Sequence, residues 1–133
     1  MASAAQMQLG VVYESKGDVP NAEQAYEKVL ALNPRFAPAA NNLAMLYSEY
    51  GGDKEKALEL AQRAKEAAPD DPHISDTLGW ILYQRGVYQR AADLLKESAA
   101  KLPDAPVVQY HLGLATLKVG DKVSVTGIRA KKA

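Results

Sequence analysis

Residues 76–103 read DTLGWILYQRGVYQRAADLLKESAAKLP. Two amphipathic segments meet at a glycine and the second stops at a proline, a pattern that spells helix, turn, helix. Leu78, Gly79, Gly86, Ala91, Leu95 and Pro103 mark this unit, and residues of the same kinds recur upstream at steps of 34 or 35. Leu43 and Leu9 answer Leu78, Ala44 and Gly10 answer Gly79, and Gly52 and Gly17 answer Gly86. Ala57 and Ala22 answer Ala91, Ala61 and Tyr26 answer Leu95, and Pro69 and Pro34 answer Pro103. A period of this length is the signature of a helical array. Downstream, Leu112, Gly113 and Gly120 keep the phase and then the match fails, with Val125 where a small residue is due. The chain therefore divides into repeats at 3–36, 37–71 and 72–105, a half repeat at 106–120 and a basic tail at 121–133 that is expected to be irregular or disordered.

The 16 basic side chains are balanced by 16 acidic ones, so no net field draws the chain to nucleic acid or to an anionic membrane. There is no cysteine, which removes disulfides and thiolate metal sites. Apolar runs are a few residues long, far short of the roughly 20 that span a bilayer. The expectation is a soluble, all-α protein in which MASAAQMQLG runs straight into the first repeat without the pattern of a signal peptide. Since the chain opens inside a helix pattern and closes inside an unfinished repeat, it is expected to be a fragment of a longer protein.

Seven helices follow from the periodicity and the punctuation. Asp18 with Pro20, Asp53, and Asp71 with Pro72 supply cap and first-turn residues. The second repeat carries one extra residue between Tyr47 and Gly52, so its turn is expected to be longer. Gly10 sits mid-helix, where glycine costs about 1 kcal/mol relative to alanine. Close approach of the second helix, through Ala22 and Val29, is the expected compensation.

The spacing and residue types resemble the tetratricopeptide repeat family over residues 3–120. The match is carried by Leu9, Gly10, Tyr13, Ala22, Tyr26 and Pro34 in the first repeat, by Leu43, Ala44, Tyr47, Ala57, Ala64 and Pro69 in the second, and by the markers of the third. The resemblance implies a right-handed superhelical solenoid of antiparallel helix pairs and a groove lined by the first helix of each pair. It implies a protein or peptide partner rather than a reaction. Carried over position by position, the family's inner surface falls on Met7, Val11, Asn41, Asn42 and Met45, then on His73, Asp76, Thr77, Trp80, Tyr83 and Gln84, and finally on Tyr110, His111 and Leu114. The stretch 51–95 is also similar to repeats of bacterial exopolysaccharide and envelope-secretion proteins.

Trp80, the sole tryptophan, is the centre of this expected surface, since indoles dominate interface hot spots. The alternative is that it packs against the seventh helix. No catalytic constellation is present in the sequence: the histidines stand 38 residues apart, neither has a second His or a Cys at metal spacing, and no phosphate loop or nucleophile elbow occurs. His73 with Asp76, three residues on, is a weak candidate metal or acid–base pair, set against the reading of both histidines as polar residues lining a groove. The function expected is a binding scaffold that uses no cofactor and no metal. A second expectation, of a different class, is self-assembly through the exposed terminal helices.

Family members that hold the C-terminal carboxylate of chaperones use cations where this chain has Met7, His73 and Thr77, and only Asn42 keeps the family's residue. Without a cation to offset the desolvation of a carboxylate, acidic C-terminal peptides are expected not to bind. Calorimetric titration with such a peptide checks this, and micromolar heat would refute it.

Overall fold

Aspartates start three of the helices, each by accepting hydrogen bonds from backbone amides that have no partner within the helix. Asp18 takes the amide of Asn21 at 3.4 Å, Asp53 those of Glu55 and Lys56 at 3.0 and 3.1 Å, and Asp71 that of His73 at 2.9 Å. The computed structural model describes the backbone of residues 2–132 and the side chains of residues 3–121. The helices are α1 Ala2–Ser15, α2 Val19–Leu32, α3 Ala37–Glu49, α4 Lys54–Ala67, α5 Pro72–Gln84, α6 Tyr88–Lys101 and α7 Pro106–Lys132. There is no strand among the described residues.

Turns inside the helix pairs are set by glycine in the left-handed region, where other residues are strained. Gly17, Gly51 and Gly86 have φ of 76, 80 and 83°. The alignment of the repeats assigns this role to Gly52, and the structure moves it to Gly51. The extra residue of the second repeat follows the left-handed position, so the α3–α4 turn is one residue longer, as the sequence predicts. Gly120 has the same phase in the array but no positive φ, and α7 runs through it to Lys132. This corrects the expected end near residue 120 and the irregular tail: the backbone is helical there, while the side chains of 122–133 lie outside the described residues. A mid-helix glycine costs only about 1 kcal/mol, and no proline follows Pro106 to forbid continuation.

The chain forms two compact units, Met1–Asp70 and Asp71–Ala133. In the first, α1 packs on α2, α2 on α3 and α3 on α4 around Tyr26, Val29, Leu43 and Leu60. In the second, α5 packs on α6 and α6 on α7 around Ile74, Leu78, Leu95 and Ala115. Ser98 is fully buried and donates to the carbonyl of Pro72 at 2.8 Å, so its hydroxyl is satisfied. In α1 Gly10 is buried and Met7 and Tyr13 are half-buried, while Leu9, Val11 and Val12 are exposed.

At Gly10 the sequence expects Ala22 and Val29 as neighbours, and the structure instead shows the ring of Tyr26. A Cβ on Gly10 would run into the ring of Tyr26 at Cε1, and one on Gly79 would lie 2.8 Å from Leu95 Cγ and 3.2 Å from the carbonyl oxygen of Ala91. Both neighbouring side chains are fully buried and have no room to turn away. A Cβ on Gly113 would meet nothing within 4 Å. Gly10→Ala and Gly79→Ala are therefore expected to destabilise the fold by about 1–3 kcal/mol through overpacking. Gly113→Ala is expected to stabilise it by up to about 1 kcal/mol through helix propensity. Urea unfolding of the three variants reads the difference in sign.

Candidate partner-binding surface

In the first unit two of the predicted residues, Asn41 and Asn42, join a network on Tyr26, which α2 holds fully buried. A buried hydroxyl needs partners: the Tyr26 hydroxyl donates to Glu14 Oε1 at 3.0 Å and accepts from Asn42 Nδ2 at 3.3 Å. Asn41 Nδ2 donates in turn to Asn42 Oδ1 at 3.3 Å. Asn42, predicted to face a ligand, is thus engaged on both sides by the protein. Asn41 keeps its Oδ1 buried with no hydrogen-bond partner among the described residues, which leaves that acceptor unsatisfied. Met7 and Met45 are half-buried and Val11 is exposed.

Burial pushes the Tyr26 hydroxyl up to about 12; the hydrogen bond from Asn42 works against this, and the Glu14 carboxylate adds to it. Tyr47, which donates to Glu27 Oε1, is also raised, by burial first and then by Glu27. Elsewhere in this unit a cleft of about 390 Å³ is walled by Glu27, Leu30, Leu43, Lys56, Glu59 and Arg63. None of the residues predicted from the repeat phase lines it. Its walls come mainly from second helices, which the inner-surface mapping does not sample.

In the second unit four of the predicted residues, Trp80, Tyr83, Tyr110 and His111, form a run of ring contacts, with Asp76 hydrogen-bonded to the imidazole. The imidazole of His111, on α7, donates from Nδ1 to Asp76 Oδ1 of α5 at 2.8 Å. Its ring lies on Trp80 with centroids 4.0 Å apart and planes at 14°, and the indole also stacks with Tyr83 at 5.0 Å and 10°. Tyr83 leads on to Tyr88 of α6 at 5.5 Å, Tyr88 carries Lys118 Nζ at 5.9 Å from its ring centroid, and Tyr110 tilts against His111 at 6.1 Å. Tyr110 is 63% exposed, whereas His111 is 6% exposed.

Three expectations change here. Thr77 and His111, predicted to line a groove, are buried, and the Thr77 hydroxyl donates to the carbonyl of its own helix at His73. The weak pairing considered for His73 with Asp76 does not form; Asp76 takes His111, 35 residues along the chain, because α5 and α7 lie side by side. Trp80 does pack against the seventh helix, through His111, and remains half-buried. His73, Gln84 and Tyr110 are exposed, and Asp76, Tyr83 and Leu114 are half-buried. The arrangement offers planar apolar area with a fixed carboxylate and imidazole behind it.

The helix pairs, their phase and their glycine turns can now be set beside known proteins. The tetratricopeptide repeat profile matches residues 14–81, more than half of the chain. This chain belongs to the tetratricopeptide repeat family. TPR repeat-containing protein PA4667 of Pseudomonas aeruginosa is 33% identical over 100 residues, 75% of this chain and 17% of that protein. The chain spans less than half the length of each curated relative it matches. Among solved structures, the Sgt2 TPR domain of Aspergillus fumigatus superposes with a TM-score of 0.80 at 19% identity, over 92% of this chain and 82% of that one. The TPR2B domain of yeast Sti1, solved as a complex with pHsp70, gives 0.76 at 18% identity, over 89% and 98%. These likenesses establish the TPR fold for this chain. No helix of the described residues is long and apolar enough to cross a membrane.

The raised tyrosines of the TPR fold set a pH dependence. The unfolded hydroxyl ionises near 10 and that of folded Tyr26 near 12, so their contribution is complete below pH about 10 and is lost as pH rises towards about 12. Urea midpoints are expected to fall over that window. The fall should be shallower in Tyr26→Phe/Tyr47→Phe than in the parent chain, and equal slopes would refute the assignment.

Proposed function

We propose that this chain is a protein-interaction module that holds a partner segment against the α5–α7 surface of its second unit. The observation that carries the reading is the stack centred on Trp80: it ends in an exposed Tyr110, and its polar members, Asp76 and His111, satisfy each other. Members of the TPR family generally mediate contacts between proteins, and a half-exposed aromatic surface backed by a fixed scaffold is how hot spots are built. Because the indole stacks with both His111 and Tyr83 and is half-buried, the partner meets what remains exposed of it together with Tyr83 and Tyr110. His73 and Gln84 supply polar contacts at the rim.

The Asp76–His111 pair does not turn this surface into a catalytic site in our reading. The imidazole is buried and clamped between Asp76 and Trp80, so its role is to fix the indole. The chain serves as a scaffold and not as an enzyme.

Alanine variants separate binding from folding. Tyr110→Ala removes an exposed ring and is expected to leave the melting temperature within a few degrees while weakening a selected peptide ligand by about 30-fold or more, the size of a hot-spot loss near 2 kcal/mol. Trp80→Ala is expected to lower both stability and affinity, because the indole belongs to the stack as well as to the surface. Peptides selected from a display library and titrated against the variants provide the measurement. Affinity that is indifferent to Tyr83→Ala and Tyr110→Ala would sink the proposal.

A further inference from the structure

Helix α7 carries an apolar seam that no described residue covers. Val107, Tyr110 and Leu117 are 58, 63 and 59% exposed, and half-buried Leu114 lies between the last two. The steps between these four are three, four and three residues, the spacing by which one helix seats another. The adjoining side of α7, with Val108, His111 and Ala115, is buried in the unit. We infer that the seam receives α7 of a second copy of this chain, antiparallel about a two-fold axis near residue 112.

The register selects this occupant. Antiparallel pairing about residue 112 sets Val107 against Leu117 of the other copy and Tyr110 against Leu114, so four residues give four filled layers. Parallel pairing would set Tyr110 on Tyr110 and Lys118 on Lys118. In the antiparallel arrangement Lys118 comes level with residue 106 of the other copy, about 3 Å along the axis from its Asp104, and both charges are exposed. Beside the seam stands Gly113, where even a Cβ would meet nothing within 4 Å, so no side chain holds the two backbones apart. The balanced charge of the chain adds no repulsion between copies. A two-fold contact uses the same face on both copies, so assembly stops at two.

The interface is small. Four side chains at these exposures cover about 350 Å² on each copy, against roughly 800 Å² per partner in a standard stable complex. Association therefore falls on the order of 100 μM rather than nanomolar. This goes beyond the partner-binding reading and shares only Tyr110 and Leu114 with it, while Val107 and Leu117 belong to the seam alone.

Sedimentation equilibrium of the full chain over a broad concentration range tests the inference. The average mass is expected to rise from 14.3 kDa towards twice that value, and Leu117→Lys is expected to move the midpoint at least about 10-fold higher. The absence of cysteine makes cross-linking free of background. Oxidation of an equimolar mixture of Val107→Cys and Leu117→Cys is expected to trap the mixed dimer. Neither variant is expected to cross-link alone, since like positions lie about 15 Å apart along the axis. A constant monomer mass, growth beyond the dimer, or self-cross-linking of Leu117→Cys would overturn it. If Leu117→Lys fails to fold, the cysteine pairs still decide, and peptide affinity that survives in Leu117→Lys separates this seam from the partner surface.

Discussion

The second helix of a pair can reach the first only where the first carries little or no side chain. At Gly10 the ring of Tyr26 occupies the space a Cβ would need, and at Gly79 the side chain of Leu95 and the carbonyl of Ala91 do so. In the second repeat Ala44 takes the position and is fully buried. This contact fixes the separation and rotation of each pair, and the other features are arranged around it. The aspartate caps begin the helices at the right residue, the left-handed glycines reverse the chain, and the buried alanines of the second helices keep the backbones close. Helix propensity is sacrificed at these glycines, and packing of the opposing side chain offsets it.

The same constraint explains how much of the fold was legible in the sequence. Glycine, alanine and proline at a fixed phase are residues whose role is local or nearly so, and a period of 34 or 35 multiplies each signal by the number of repeats. The cap at Asp71 and the break at Asn33–Pro34 were visible for this reason. The ends of the array were harder. Gly120 has the phase of a turn but stands in a continuous helix, because a glycine permits a turn and does not compel one. Gly51 and Gly52 are adjacent, and only the backbone shows which of them takes the left-handed conformation.

The candidate surface was legible by position and not by contact. Phase brought Asp76, Trp80, Tyr83, Tyr110 and His111 into one neighbourhood, since α5 and α7 lie side by side. It did not distinguish a side chain that closes the space between two helices from one that looks outward. His111 and Thr77 went inside because a polar group can be buried once it has a partner, and those partners, Asp76 and the carbonyl of His73, are invisible in a list of inner positions. The pairing of Asp76 with a residue 35 places on, one repeat and one residue, is the signal that a search for neighbours across repeats would have found. In the first unit Asn42 was drawn into the Tyr26 network by the same rule, leaving its neighbour Asn41 with the spare acceptor.

The single indole lies in the second unit, stacked with an imidazole and a phenol, while four of the seven tyrosines lie in the first. Emission excited at the red edge of the absorption band therefore reports the surroundings of one helix pair and is blind to the other half of the chain. A melt followed by that signal and one followed by ellipticity sample different cores, and their midpoints coincide only if both cores are lost in one cooperative event. The placement of one aromatic residue thus makes the cooperativity of the whole array measurable without any label.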